Sequence, residues 1–413
     1  MPKVEIAYIN PTSRMRYGAK LLFDYCLGVD HAWVEGANDE YVEITHGDKS
    51  ISSPIHAISF SQDEQALNSG VKFPCEVLGV CDLDYDPFAA AIFLAAQWED
   101  VFKGDQIKKD KHNRFIGREC SKPEVELLAV SLAGMLGIAV DTSRYSYQPT
   151  IDVDIAYAFK GRTKMQTILA SIKDLLMLRW KNLAHRISVL SGSSDDPYDT
   201  YEWIDVLHKQ NGLNTKAFFL CANHSRPYDI GLPREEVVGI MQTMTKWDLN
   251  WHPSYRAMTS LHQGDLDAFS EEKKLFPGLT SEVRAHFLRC DVRHWSKLVE
   301  MEVKDDFSLG YADVAGFRSG ICRPYPAFDL INDRELPLTI HPVVVMDSTL
   351  SSYMGLSPKE GVELVVELNN EVRSVGGLMT TLFHNTSVSN FGEWKGWRVA
   401  YEEIVDLCSK PNN

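Results

Sequence analysis

Apolar and polar positions alternate over Val4-Glu5-Ile6-Ala7-Tyr8-Ile9, the two-residue period of a half-buried strand, whereas Asp86 to Phe102 reads as helix. Runs of both kinds follow one another up to about Val140, which predicts an α/β or α+β module. Asp86-Pro87-Phe88 stands directly before Ala89-Ala90-Ala91-Ile92-Phe93-Leu94, and a capping carboxylate followed by proline is a helix start. The polar stretch from Lys103 to Arg118 predicts a surface loop, and Pro123 to Leu136 returns to helical spacing. Tyr145-Ser146-Tyr147-Gln148-Pro149 interrupts the pattern before a new strand at Thr150-Ile151-Asp152-Val153-Asp154. A domain boundary is therefore expected here, giving residues 1–145 and 146–413.

The second part opens with apolar residues at 165, 168, 169, 172, 175 and 176, one face of a helix expected to run from Met165 to Leu190. Its other side carries Lys164, Lys173, Arg179, Lys181 and Arg186, which read as a solvated face. Helix and strand then alternate: Thr200 to Gln210 before Thr215 to Leu220, and Glu235 to Thr245 before Leu249 to His252. Such a rhythm predicts parallel strands covered by helices. Later strands are expected at 338–345 and 377–384, with a helix between them at 360–375 and another at 399–407. No internal repeat or low-complexity segment interrupts this order.

Composition narrows the picture. At 413 residues the chain exceeds one ordinary core, and 44% apolar with 24% charged residues excludes general disorder. A net charge of −15 repels nucleic acid and anionic lipid unless a basic patch offsets it, and none stands out along the sequence. No nucleic-acid partner and no membrane span are expected, since no apolar run approaches the roughly 20 residues a span needs. The start of the chain lacks a basic segment followed by an apolar core, so a cytoplasmic location is the expectation. The eight cysteines form no C-x-x-C pair, which argues against a zinc ribbon and for free, mostly buried thiols.

The chemistry lies where strands end. Asp152 and Asp154 close one candidate strand, His252 another and His384 a third, and in parallel α/β architectures those ends line the ligand site. Two carboxylates one residue apart point to the same side of a strand, and both stay ionised only beside a compensating cation or arginine. A divalent metal held by carboxylate and imidazole, with the other carboxylate as base, is one solution. Helix caps or loop positions for the aspartates, and an ordinary strand-end role for His252 before Pro253, are the others.

The order of these segments resembles that of polysaccharide deacetylases of the NodB-like carbohydrate esterase group. Their first motif has two aspartates at a strand end, the second is H-x-x-x-H, the third is built on an arginine, and the last is leucine-x-histidine. Here the matching segments are Thr150 to Asp154, Trp251 to Arg256, Arg284 to Arg289 and Leu382-Phe383-His384-Asn385. A bacterial subgroup with an extra N-terminal domain is similar also in Asp196 to Thr200, Gly310-Tyr311, Gly316 to Gly320, Arg323-Pro324-Tyr325 and Glu393 to Trp397, and in Asp86-Pro87-Phe88 and His112 to Phe115.

This resemblance implies a distorted (β/α) barrel preceded by a smaller α/β domain, and metal-assisted removal of N-acetyl groups from a glycan or amino-sugar conjugate. Zinc is the expected metal. Asp152 would be the general base, Arg284 the residue orienting it and His384 the general acid, with Asp154 and His252 as metal ligands. One position departs from the pattern: the second histidine of H-x-x-x-H falls on Arg256, which stays protonated and cannot ligate. His286 is the candidate replacement. Tyr255, Arg256, Arg318, Arg323 and Trp394 are the expected substrate-binding residues, with a packing role open for Trp394; His341 and Asp347 flank another strand, where a structural role is expected and a place in the pocket is the alternative. Loss of the metal would instead leave a glycan-binding or assembly protein, and a small amide is an alternative substrate. The oligomeric state is not legible.

Overall fold

The structure, a computed structural model, describes residues 3–36, 40–56, 85–118, 120–222, 227–276 and 278–412. Four strands near the start, β1 (Val4–Ala7), β2 (His31–Val34), β3 (Tyr41–His46) and β4 (Lys49–Pro54), form a small sheet in the order β2-β1-β3-β4. β1 pairs with β2 in parallel and with β3 antiparallel, and β3 turns into β4 through Gly47, whose φ of 64° suits the tight turn.

The helix Pro87–Ala95 begins where its sequence announces it: the Asp86 carboxylate accepts from the backbone N–H groups of Phe88 and Ala89. All nine of its residues are buried, which is why it is apolar on every side. Helix Ser13–Ala19 crosses it closely because Gly18 faces Phe88, where an added Cβ would meet the Phe88 Cβ at 2.8 Å. The Lys103 to Arg118 stretch differs from a plain surface loop: His112, Arg114 and Phe115 are buried. Cys75 and Cys81 lie outside the described residues; of the other thiols, Cys120 is half-buried and the remaining five are buried and free.

Nine strands form the large sheet. They are β5 (Ser146–Val153), β6 (Lys216–Phe219), β7 (Asp248–Trp251), β8 (Leu279–Val283), β9 (Asp305–Asp306), β10 (Tyr325–Asp329), β11 (Arg334–Ile340), β12 (Val345–Met346) and β13 (Leu378–His384). The order is β10-β11-β9-β8-β7-β6-β5-β13-β12, and every pairing is parallel except that of β10 with β11. Parallel strands place their C-terminal ends on one side, so Asp152, His252, Arg284, Asp347 and His384 gather there. The segment from β11 to β12 runs from one edge of this order to the other. His341 N–H donates to Asp306, Val343 N–H to Leu309 and Val344 N–H to Thr380, the last on β13.

Two sequence expectations change. Met165 to Leu190 is two helices, Lys164–Leu176 and Trp180–Leu190, joined at Leu178, which adopts φ 55°. No glycine or proline marks that turn in the sequence, so the periodic pattern runs straight through it. Its apolar stripe is exposed rather than inward, and Arg186, expected on a solvated face, is buried against Asp174 at 2.7 Å.

Arg318 and Arg323 are likewise structural. Arg318 donates to Asp100 and to the Gly310 carbonyl, and Arg323 to Glu126, which ties residues before Leu136 to the loop between β9 and β10. Arg14 with Asp333, and the Tyr17 hydroxyl on the Pro326 carbonyl, add further ties at that side.

Candidate functional site

Asp154 stands just beyond β5 with three imidazoles around its carboxylate. His252 Nε2 lies 3.1 Å from Oδ1, and His286 Nε2 and His384 Nε2 lie 3.4 and 3.5 Å from Oδ2. The second imidazole is the one the sequence suggested in place of Arg256. One ligand atom from each of Asp154, His252 and His286 falls within 4.8 Å of the others.

The far side of each ring is fixed. His252 Nδ1 donates to the Arg284 backbone carbonyl, which can only accept, so the Nδ1 proton is held and Nε2 is left facing Asp154. His286 Nδ1 sits 3.0 Å from Asp229 Oδ1, and that carboxylate also accepts the backbone N–H groups of Tyr255 and Arg256 at the start of helix Tyr255–Gln263. Asp229 therefore caps a helix and aims an imidazole at once. His384 Nδ1 lies 2.9 and 3.0 Å from the two Asp347 oxygens.

Asp154 Oδ1 is buried and has no hydrogen-bond partner despite its closeness to His252. Asp154 Oδ1 and the unprotonated Nε2 of His252 face each other lone pair to lone pair, which a cation between them would satisfy. The residues present fit a divalent metal on that ground.

Charge in the site is strongly coupled. Burial favours a neutral Asp154, but the charge on His286 and the neighbouring imidazoles hold its carboxyl well below the usual range. Burial also opposes the charge on His286 and His384; Asp154 and Asp229 outweigh it at His286, raised to about 9, and Asp347 outweighs it at His384, raised to about 10.

Asp152, 2% exposed, receives Arg284 Nη1 at 3.0 Å, and the same nitrogen donates to Thr150 Oγ1 at 2.6 Å. Arg284 has no exposed surface; its Nε donates to the Phe307 carbonyl and its guanidinium lies 4.5 Å from the Phe218 ring centre. Asp152 and Asp154 thus differ in their nearest partners: a guanidinium for the first, with His252 Nε2 farther off at 3.8 Å, and imidazoles for the second.

These groups open into a cavity of about 340 Å³, walled also by Arg114, Phe287, Met346 and Tyr353. Arg114 comes from the N-terminal part; it bonds Asp110, the Phe287 carbonyl and the Tyr353 hydroxyl, so that part supplies a wall of the cavity. Phe287 and Leu288 adopt φ 63° and 50°, left-handed values that are costly for large side chains, directly after His286. A second cavity of about 340 Å³, between Tyr157, Asp199, Asp205 and Lys246, contains no imidazole.

The remaining expectations fall outside this cavity's wall. Tyr255 stacks on Tyr228 with ring centres 4.2 Å apart and packs under the Arg289 guanidinium. Arg256 is exposed and lines a separate recess with Cys221 and Glu272. Trp394 is buried edge-on to Trp397. Asp347, expected to be structural, holds His384; Asp229 carried no motif to single it out, and Arg114 stood in the His112 to Phe115 segment with no role assigned at the site. Asp347 does follow an apolar strand, the same signal that marks Asp152 and His252.

No family model and no curated protein matches the chain. It is similar to a solved structure of a candidate polysaccharide deacetylase from Mycobacterium smegmatis, with 16% identity and a TM-score of 0.41 over 65% of this chain and 85% of that one. It is also similar to a candidate polysaccharide deacetylase involved in O-antigen biosynthesis from Bordetella bronchiseptica, with 13% identity and a TM-score of 0.32 over 66% of this chain and 94% of that one.

Proposed function

We propose that this chain is a metal-dependent hydrolase that removes N-acetyl groups from a glycan or amino-sugar conjugate. The observation that carries the reading is the Asp154 carboxylate, with an orphaned oxygen, set against the Nε2 atoms of His252 and His286. Asp154, His252 and His286 would hold a divalent ion, with zinc the first candidate because carboxylate and imidazole suit it. When bound, the ion would polarise the amide carbonyl and make a nearby water more acidic.

The chain's own residues account for the proton movements. Asp152, held by Arg284, takes the proton from the attacking water. His384, kept protonated by Asp347, gives one to the departing amine, so the amide C–N bond breaks as a C–O bond forms and acetate leaves. A site without Arg284 would leave Asp152 as a buried carboxylate with no fixed orientation.

The distorted barrel belongs to the same proposal. Hydrogen bonds that carry the β11 to β12 segment from β9 across to β13 support a ring of seven parallel strands, a geometry that brings all five strand-end groups to one mouth. Division into residues 1–145 and 146–413 is supported by the start of β5 at Ser146 and by the separate small sheet.

The test is release of acetate from N-acetylglucosamine oligomers and from a panel of small amides, before and after chelation and re-addition of metal. Acetate from the oligomers that vanishes on chelation and returns with metal supports the reading. Cleavage confined to small amides would replace the substrate class, and metal-loaded protein with no hydrolysis of either would overturn it.

A further inference from the structure

The two helices Lys164–Leu176 and Trp180–Leu190 are built inside out. Met165, Ile168, Leu169, Ile172, Leu175 and Leu176 form the i, i+3, i+4 stripe of the first, and each is 45% exposed or more. Trp180, Ile187 and Leu190 continue the stripe on the second, at 57%, 60% and 49%, and Leu176 and Leu178 at the turn reach 78% and 70%. The ion pair Asp174–Arg186 is turned inward between the helices. A contiguous apolar face of this extent, with the charges behind it, marks a surface that meets something apolar.

Charge indicates the occupant. Between Lys160 and Leu190 there are seven Lys and Arg and a single Asp, in a chain whose net charge is −15. Lys173, Arg179 and Lys181 flank the apolar turn, so cations rim the tip that carries Leu176, Met177, Leu178 and Trp180. An apolar face edged by Lys and Arg, with a tryptophan at its end, is complementary to the headgroup zone of an anionic bilayer. A second copy would bring the same cations against each other. Among the described residues no helix is long and apolar enough to cross a membrane, so the hairpin would lie in the interface.

Its position in the fold adds a reason. The hairpin is inserted between β5 and the helix Tyr201–Gln210, on the side where Asp152 and Asp154 emerge. At its base His185 packs edge-on to Phe391, which belongs to the loop following His384, with ring centres 5.3 Å apart. The catalytic end of the sheet and the apolar hairpin therefore share one side of the molecule.

We propose that the 164–190 hairpin docks this protein on an anionic lipid surface, an inference that stands whether or not the hydrolase reading does.

Co-sedimentation of the full chain with vesicles of phosphatidylcholine, alone or with a third phosphatidylglycerol, tests it. Binding is expected only with the anionic lipid, weakening as salt rises, with a blue shift of tryptophan emission. Replacing Lys173, Arg179 and Lys181 by Ser should weaken binding on the order of a hundredfold. Leu176→Glu with Leu178→Glu should abolish it, while the circular dichroism and metal content stay those of the parent. No binding to anionic vesicles overturns the proposal. So does a concentration-dependent dimer in sedimentation velocity that these same variants dissolve, since a second copy would then cover the face.

Discussion

Asp347 holds His384 through three contacts: its oxygens lie 2.9 and 3.0 Å from ring Nδ1, and one of them accepts the His384 backbone N–H at 2.6 Å. Ring and backbone are thereby fixed together, so Nε2 faces Asp154 Oδ2 at 3.5 Å. Burial alone would strip the ring of its charge, yet the carboxylate raises it to about 10.

Replacing Asp347 by Asn should therefore remove the charge that keeps His384 protonated. Its pKa would fall from about 10, since only Asp154 and Asp152 then oppose burial. A rate that needs protonated His384 persists up to about pH 10 in the parent and is lost at lower pH in the variant. The kcat profile against pH would move its alkaline limb downward, with KM little changed. An unmoved limb would remove His384 from the proton transfer.

Metal retention should depend on Asp154 and, less steeply, on Asp229. Asp154→Asn is expected to abolish metal binding and turnover together, whereas His384→Ala spares the metal and lowers the rate. Asp229→Asn keeps all three ligands but frees the His286 ring, and loss of such a support typically costs 10–100-fold in affinity. Competition titration with a chromogenic chelator orders the three variants. Full metal content and activity in Asp154→Asn would exclude the proposed centre.

The Arg284–Asp152 pair is predicted to cost stability when broken on one side. Arg284→Met leaves Asp152 buried at 2% exposure without its guanidinium, a change worth about 3–5 kcal/mol. Adding Asp152→Leu removes that stranded charge and should restore much of the stability without restoring activity. Urea unfolding of the two variants, followed beside acetate release, distinguishes a stabilising pair from a catalytic one.

Acid should destabilise the fold through His208, far from the cavity. This residue has no exposed surface and lies between Thr215 Oγ1 at 2.8 Å and the Tyr401 hydroxyl at 2.7 Å, and burial lowers its pKa to about 4. A histidine whose folded pKa is depressed binds its proton more readily when unfolded. Its contribution is intact above about pH 6.5 and is lost as pH falls from there to about 4, in total about 3 kcal/mol. Urea midpoints at pH 7, 5.5 and 4.5 should fall in that order, and His208→Gln should flatten the lower part of the series.

Much of the site was legible because strand ends announce themselves. Asp152, Asp154, His252 and His384 each close an apolar run, and one-dimensional periodicity is enough to place such residues on one side of a parallel sheet. Arg284 follows from motif order and His286 from the gap that Arg256 leaves, and the structure sets the His286 ring 3.4 Å from Asp154. Asp347 closes an apolar run as well, but its role, like that of Asp229, was not legible, because a carboxylate that aims an imidazole is defined by a partner 37 or 57 positions away.

By itself the sequence determined the alternation of strand and helix, the capped start at Asp86 and the candidate metal and acid–base groups. Only the tertiary structure decided that Arg256 faces away, that Arg318 and Arg323 bind carboxylates of the N-terminal part, and that Arg114 reaches into the cavity. It also decided the sense of the 164–190 hairpin. A helical period fixes which residues share a face but not whether that face meets the core or the outside, because burial depends on where the rest of the chain packs.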